Sequence, residues 1–443
     1  MPLLPIGTRS PETTTLLRRH GLTPFRRILT PDDFRAAHAG SPPPKTILIP
    51  EVVFWLMATT TLAGESMAAG VLQFWQTMRA ALPQLPLAPV TEEAFCLARA
   101  ALPQRFFRRL FGQVVQRFEQ RFAAPLLWQG RRLLALDGTE VNLPAHPKVR
   151  RDFPPQLHRH GTPGPAQARL VGLVGLWSGL CHAFRFTPLG VCEQASARRL
   201  LHYLRPGDLL LADRNFPDQA TFAGVLARQA DFLFRLPANR YLNRTRLATP
   251  AGDDRQWYIE VVLGRSTAPQ RLRILQYQRP GFRPSWLITS LHDTVTFSYD
   301  QLVLLYHERW RQETFHREWK HSLALAHLRS HHAAGLRKEV LVQLTFNNLV
   351  RWLMAEAAPP PQRPVDLQFR AAKRLILASL SAMAVAPARL LPDLYNNLLL
   401  QIAHGRIRVR PGRSYPRAFD HLPRPKGHGR TAQPARLATP VPI

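Results

Sequence analysis

Hydrophobic residues recur along the chain with two different spacings, and the spacing changes near residue 130. From 46 to about 125 the apolar positions follow the three- and four-residue spacing of amphipathic helices, most clearly from Gln104 to Phe122. Thr91, followed by two glutamates, is typical of a helix N-terminus. The stretch from Val52 to Ala63 is apolar but too short to span a bilayer, so it predicts a core helix.

Short apolar runs bounded by turn residues follow this helical region and predict β-strands. Two of these runs end at an acid. Leu133–Leu136 is followed by Asp137, and Leu209–Ala212 is followed by Asp213. Other strand-like pieces lie at 169–186, 231–236, 257–263, 271–278 and 285–290. A helix is predicted at 195–204, and another begins near Ser298. Strands mixed with helices indicate an α/β core.

The two ends of the chain differ from its middle in composition. Residues 1–45 are rich in proline, with a short helix expected at 31–39 after the capping residue Thr30. Further helices are predicted at 336–356, 367–383 and 391–402. The tail that follows is basic and punctuated by proline and glycine, so we expect it to stay disordered until it is bound.

The charge of the chain is strongly basic. Its 443 residues include 59 Lys plus Arg against 29 Asp plus Glu, a formal net charge of +30. Such an excess favours a polyanionic partner, most simply nucleic acid, although a GC-rich genome would also raise the Arg count. The cysteines Cys96, Cys181 and Cys192 lie far apart and indicate a reduced intracellular protein. No signal-peptide or membrane-spanning pattern is present, so we expect a cytoplasmic protein without a membrane partner.

The segment 306–320, called the signature segment below, carries the most informative chemistry. If it is one helix at about 100° per residue, then Tyr306, Arg309, Glu313 and Lys320 fall within roughly a 60° arc. Carboxylates are hard ligands for Mg²⁺, and Arg and Lys bind phosphate. This face therefore predicts a metal beside a phosphodiester, whereas Glu313 taken alone is more typical of a solvated salt-bridge partner.

Asp137 and Asp213 supply Glu313 with two partners. If their strands lie side by side, both carboxylates sit at one rim of the sheet, where open α/β sheets bind ligands. Their mutual repulsion requires a cation between them, and three carboxylates can hold two Mg²⁺ ions for phosphoryl transfer. Taken singly, Asp-Gly is also typical of a turn and Asp213 of a loop acid. The order of the three acids favours the metal site.

These residues resemble the motifs of the IS4-type DDE transposases, a family named for insertion sequences. Leu134–Thr139 is similar to the family's strand ending in Asp-Gly-Thr, and Leu210–Phe216 to its strand ending in Asp-Arg-x-Phe. The signature segment meets the family pattern Tyr-x2-Arg-x3-Glu-x6-Lys at every position. The resemblance covers about residues 45–430. Ala145 and Asn215 stand where relatives often carry an acid and a glycine, and neither change removes a metal ligand.

The resemblance implies a ribonuclease H-like mixed sheet with flanking helices, a β-rich insertion and helical regions at both ends. It implies a transposase that cuts double-stranded DNA at the inverted-repeat ends of an insertion sequence and joins it to target DNA, acting as a homodimer. Asp137, Asp213 and Glu313 would be the catalytic, metal-binding triad for two Mg²⁺ ions, with Mn²⁺ as a substitute. The DNA-contacting residues would be Tyr306, Arg309, Lys320, Arg214 and Trp286. Trp286 would stack on a flipped base, with a core tryptophan of the sheet as the alternative.

The implied organisation divides the chain into six parts. They are a flexible segment at 1–45, a helical domain that binds DNA ends at 46–128, a catalytic core at 129–224 and 296–330, a β-rich insertion at 225–295, a helical region at 331–404 and a basic tail at 405–443. A non-catalytic or nuclease-only DNA-binding relative of the same fold is the alternative function. Histidines at 158, 160, 327, 331 and 332 lack a cysteine partner at ligand spacing, so zinc is not expected. The sequence shows no glycine-rich loop of the kind that cradles phosphates, so ATP is not implied.

Overall fold

A mixed sheet with helices on both faces organises the protein in a computed structural model. The structure describes residues 23–38, 48–63, 66–81, 90–156, 164–237, 249–251, 253–263, 269–278 and 284–407. Its strands are β1 (Leu127–Trp128), β2 (Arg131–Asn142), β3 (Gln167–Gly175), β4 (Cys181–Pro188), β5 (Leu209–Ala212), β6 (Asp231–Leu236), β7 (Thr249–Ala251), β8 (Asp253–Val262), β9 (Pro269–Tyr277) and β10 (Ser285–Thr289). His158, His160 and the basic tail beyond residue 407 lie outside the described residues.

The helices precede, cover and follow the sheet. They are α1 (Pro31–Ala37), α2 (Pro50–Ala63), α3 (Met67–Ala81), α4 (Glu92–Ala101), α5 (Gln104–Phe122), α6 (Pro147–Asp152), α7 (Glu193–Arg198), α8 (Gln219–Leu226), α9 (Tyr299–Glu308), α10 (Arg311–Arg317), α11 (Ala333–Ala357), α12 (Phe369–Val385) and α13 (Leu391–His404). Local signals begin several of them. Thr30 caps α1 in a capping box with Asp33, and Thr91 caps α4. No helix in the described part of the chain is both long and apolar enough to cross a membrane.

Five strands form the core of the sheet, in the order β4-β3-β2-β5-β6. β3 pairs antiparallel with both β2 and β4, whereas β2, β5 and β6 run parallel. The parallel pairing explains the short apolar runs, because such strands are buried on both faces. This sheet and its flanking helices confirm the ribonuclease H-like α/β fold class that the sequence predicts.

The strands of segment 225–295 extend this core sheet. β10 pairs antiparallel with β6, and β9, β8 and β7 follow in order. The segment expected as a β-rich insertion therefore begins with the core strand β6 and shares one hydrogen-bonded sheet with the core.

Different helices cover the two faces of the core sheet. Leu134, Leu136 and Leu210 pack with α7 and α8, and we call this side the α7 face. Leu133 and Leu211 pack with α9 on the opposite side, which we call the α9 face. Because side chains alternate along a strand, Asp137 belongs to the α9 face and Gly138 to the α7 face.

The helix α11 joins the N-terminal helices to the sheet. It is buried along most of its length and packs against α2, α5 and α13. Asn348 of α11 binds both backbone groups of Cys181 at the start of β4, since its Oδ1 accepts from the N–H at 2.8 Å and its Nδ2 donates to the carbonyl at 2.9 Å. The amide thus takes the place of a neighbouring strand at this edge.

Among the predicted element ends that differ from the structure, two lie close to the acids. The helix predicted at 195–204 begins at Glu193 and ends at Arg198, and a 3₁₀ turn follows at Leu201–Tyr203. β2 does not end at Asp137 but continues to Asn142. Its pairing with β5 stops at the residue before Asp137, whereas β3 supplies hydrogen-bonding partners as far as Asn142.

Candidate active site

Asp137 and Asp213 lie on neighbouring strands at one rim of the sheet, called the acidic rim below. In the parallel pair β2 and β5, Leu136 is opposite Ala212, so the two aspartates are the next residues on each strand. Parallel strands are about 4.8 Å apart. The prediction that these two strands lie side by side is confirmed. Gly138 N–H donates to Asp137 Oδ1 at 2.8 Å and Asn215 N–H to Asp213 Oδ1 at 2.8 Å.

The charge of the acidic rim is poorly compensated. Burial, followed by the charge of Asp213, raises the pKa of Asp137 to about 7. Arg309 opposes this rise, with its Nη1 lying 3.6 Å from Asp137 Oδ2. A carboxyl pKa so far above its usual range means that the fold disfavours two charges here, and a bound cation relieves that penalty. The donor set therefore fits a hard divalent metal.

Two buried donors from the signature segment have no acceptor. Tyr306 and Arg309 are only 3% and 7% exposed. Tyr306 Oη and Arg309 Nε have no hydrogen-bond partner among the described residues. Leaving such a group unsatisfied costs about 1–3 kcal/mol. A phosphate oxygen is the kind of acceptor that such donors bind, and contact of Tyr306 and Arg309 with phosphate stays a prediction.

The signature segment is not the single helix that the sequence predicts. The α-helix is interrupted at Arg309 and Trp310, where hydrogen bonds span three residues, as in Arg309 N–H to the Tyr306 carbonyl at 3.1 Å. A π-helix, Glu318–Ser322, follows α10. The three-residue turn overwinds the chain and the π-helix underwinds it, so the 60° arc does not apply. Glu313 lies exposed on α10.

Trp319 anchors the second half of the segment above the acidic rim. Its buried indole N–H donates to Asn347 Oδ1 at 3.2 Å. Its ring covers Gly172, which pairs with Asp137 across β2 and β3. A Cβ at Gly172 would lie 2.7 Å from this ring, so glycine is needed for the close approach.

The three predicted acids do not form a closed metal site. Within the described ranges, no group of three or more His, Cys, Asp or Glu side chains is placed to hold a metal ion. The two predicted cations do share a neighbourhood. Burial, then the charges of Lys320 and Arg309, lower the pKa of His316 to about 3, so His316 is neutral and lies close enough to both cations to sense them.

Trp286 and Arg214 lie near the rim without contacting its acids. Trp286 pairs with Leu236 at the end of β6, two strands from Asp213. It is partly buried on the α7 face, and its ring centroid lies 5.5 Å from that of Trp257. Arg214 is exposed. Stacking on a base stays a prediction for Trp286.

Sequence reasoning missed Glu193. It is the first residue of α7, and Asn215 Nδ2 donates to its Oε2 at 2.5 Å. Burial and the charge of Asp213 raise its pKa, while the Asn215 hydrogen bond opposes that rise. Its position in the first helical turn is the one available signal, and many helices carry an acid there.

Comparison with known proteins shows the family of the chain. A family model described as "Transposase DDE domain" matches residues 128–349, half of the chain. The chain belongs to the DDE transposase family. The matched range contains Asp137, Asp213 and the whole signature segment.

A curated relative narrows the type of DDE transposase. "Transposase InsG for insertion sequence element IS4" of Escherichia coli (strain K12) is 25% identical over 350 residues, 75% of this chain and 77% of that relative. This confirms the resemblance to the IS4 type. A solved structure of a piggyBac transposase synaptic complex with hairpin DNA is 10% identical, with a TM-score of 0.47 over 90% of this chain and 88% of that one. At this level of likeness no residue is carried over from it.

Proposed function

We propose that this DDE transposase cuts DNA at the ends of an insertion sequence and joins the freed 3′ ends to target DNA. Asp137, Asp213 and Glu313 would hold the divalent metal. The observation that carries the proposal is the pair of aspartates on neighbouring parallel strands, with the pKa of Asp137 raised to about 7. Such a pair binds a cation in order to ionise fully. Oxygen ligands favour Mg²⁺, and Mn²⁺ can replace it.

The other roles in the reaction are assigned to the bound ion and to four residues of the chain. A divalent ion bound at the rim would supply Lewis-acid activation of the attacking and leaving oxygens. Arg309 and Tyr306 offer buried, unused donors to a phosphate oxygen beside Asp137. Lys320 adds positive charge from the π-helix. Glu313 lies exposed on α10, and we propose that it completes the metal site when DNA binds.

An arginine-lined groove supports binding of DNA beyond the rim. A groove of about 770 Å³ lies between α5 and β4. The arginines that line it are Arg108, Arg185, Arg205 and Arg337. Each phosphate contact would release a counterion, so the affinity should fall steeply with salt. We propose that this groove and the helices of 46–128 receive an element end, and that two copies of the chain bind two ends.

The experiment uses a DNA carrying both element ends, taken from the sequence that flanks the gene. Wild-type protein with Mg²⁺ should cut the ends and join them to a supercoiled target plasmid. Asp137→Asn should bind this DNA normally and give neither product, because it keeps the shape of the side chain but loses its charge. Glu140→Gln, which removes an exposed acid on the same strand, is the matched control and should stay active.

Each other outcome has a defined meaning. Cutting or joining by Asp137→Asn at the wild-type rate would overturn the assignment of the rim. Wild-type protein that cuts but never joins would indicate a nuclease. Wild-type protein that binds the ends but does neither would indicate a non-catalytic DNA-binding protein.

A further inference from the structure

Glu193 approaches the acidic rim from the α7 face. Its carboxylate lies directly over Gly138, because a Cβ built there would be 1.9 Å from Glu193 Oε1. Gly138 has no positive φ, so glycine is needed here for space and not for backbone conformation. One residue of β2 therefore separates the Glu193 carboxylate from Asp137.

Asn215 holds the carboxylates of Glu193 and Asp213 at the same rim. Its Nδ2 donates to Glu193 Oε2 at 2.5 Å, and its backbone N–H donates to Asp213 Oδ1 at 2.8 Å. Gln194 Nε2 donates to Asn215 Oδ1 at 2.9 Å, which fixes the orientation of the Asn215 amide. The two acids are thus positioned by one residue whose own side chain is oriented.

Positive charge does not match these acids. Among the described residues, Asp137, Glu193 and Asp213 have one ion-pair partner within 4.0 Å, namely Arg309, at 3.6 Å from Asp137. Arg169 acts on Glu193 from beyond 4.0 Å and is itself paired with Glu140 at 3.7 Å, and hydrogen bonds from neutral Asn215 do not balance the remaining negative charge. A cation from outside the chain is therefore favoured.

An independent observation points to a ligand at the same place. The guanidinium of Arg309, 7% exposed, reaches Asp137 while its Nε is unpartnered in the described structure, and Tyr306 Oη is likewise without an acceptor there. The rim thus combines carboxylates that need a cation with donors that need an anionic oxygen. A divalent cation with a phosphate meets both needs.

We propose that Glu193 is a further metal ligand of this site, together with Asp137 and Asp213. The inference rests on the proposed function, because it concerns the same metal. Because Glu193 lies on the α7 face and Asp137 on the α9 face, the proposal requires the Glu193 side chain to rotate toward the end of β5. Glu193 would supply a third carboxylate beside Asp137 and Asp213 in the protein without DNA.

The test measures Mn²⁺ binding to the purified full-length protein without DNA, from the electron paramagnetic resonance signal of unbound Mn²⁺. Glu193→Gln removes the charge but keeps an oxygen that can accept from Asn215. Asn215→Ala keeps the charge but removes the hydrogen bond. Asp137→Asn and Asp213→Asn report on the metal site itself, and Glu140→Gln is the matched control. Circular dichroism and thermal melting verify that every variant is folded.

A metal ligand at position 193 predicts that Glu193→Gln weakens Mn²⁺ binding by at least about tenfold. Asn215→Ala should weaken it less, and Glu193→Asp, which keeps the charge, should restore part of the loss. Wild-type Mn²⁺ affinity in Glu193→Gln, or an equal loss of affinity in Asn215→Ala, would overturn the inference. If Asp137→Asn has lost affinity in the same experiment, the proposed function stays in place. Unchanged Mn²⁺ binding in Asp137→Asn and Asp213→Asn would contradict both the inference about Glu193 and the proposed function.

Discussion

Substitution of Gly138 tests the packing of the acidic rim. In Gly138→Ala the added methyl would lie 1.9 Å from Oε1 and 2.9 Å from Cδ of Glu193. Non-bonded contacts are normally about 3.5 Å or longer, so the carboxylate must withdraw by more than an ångström. Its 2.5 Å hydrogen bond from Asn215 cannot survive that movement.

The magnitude follows from the withdrawal of the carboxylate and the lost hydrogen bond. The carboxylate is the end of a flexible side chain, so its withdrawal alone costs little, and the lost hydrogen bond costs roughly 0.5–1.5 kcal/mol. In Gly138→Ala/Glu193→Ala the methyl enters the space that the glutamate leaves. The double variant should therefore differ from Glu193→Ala by less than about 0.5 kcal/mol, which gives a coupling free energy of roughly 0.5–1.5 kcal/mol.

Urea unfolding of the wild type, both single variants and the double variant completes this cycle. Gly112→Ala is the control, because no atom lies within 4 Å of its added Cβ. It should stabilise α5 by about 0.5–1 kcal/mol, as alanine does in a helix. Additive effects of the two substitutions, or a Gly138→Ala variant as stable as wild type, would refute the placement of Glu193 over Gly138.

Three further predictions concern pH, the sheet edge and the insertion. The fold raises the pKa of Asp137 from 3.8 to about 7. Ionisation of Asp137 therefore lowers the free energy of unfolding as pH rises through this range, and the decrease stops above pH 7. Mn²⁺ affinity should therefore rise by up to about tenfold per pH unit and level off near pH 7, and calorimetry showing a flat affinity from pH 5 to 8 would contradict this. Asn348→Leu leaves both backbone groups of Cys181 unpaired and should lower the free energy of unfolding by roughly 2–4 kcal/mol, measured in urea. Trp286→Ala should spare nicking but block hairpin formation on end-containing DNA, and equal loss of both products would leave Trp286 with a packing role alone.

Much of the core was predictable because its signals are local. Short apolar runs predict strands buried on both faces, and an acid directly after such a run marks the rim. Those two facts put Asp137 and Asp213 at strand ends, and the register of Leu136 opposite Ala212 shows that the two strands are neighbours. The family resemblance supplied the expected topology.

The remainder depends on contacts between distant residues. No glycine or proline marks the turn at Arg309 and Trp310, where burial of Arg309 and Trp319 against the sheet overrides local helix preference. The contact between Gly138 and Glu193 joins residues 55 positions apart, as their numbers in the sequence show. The spacing of residues along the chain predicts neither the interruption at Arg309 nor the contact between Gly138 and Glu193.

Iron-directed cleavage of the polypeptide tests most directly whether three separate segments form one metal centre. Fe²⁺ replaces Mg²⁺ in the protein bound to end-containing DNA, and peroxide with ascorbate then cuts the backbone beside the bound ion. The proposed centre predicts cuts near Asp137, Asp213 and Glu313, all suppressed by excess Mg²⁺. Cuts near the two aspartates without one near Glu313, or cuts that Mg²⁺ does not suppress, would contradict it.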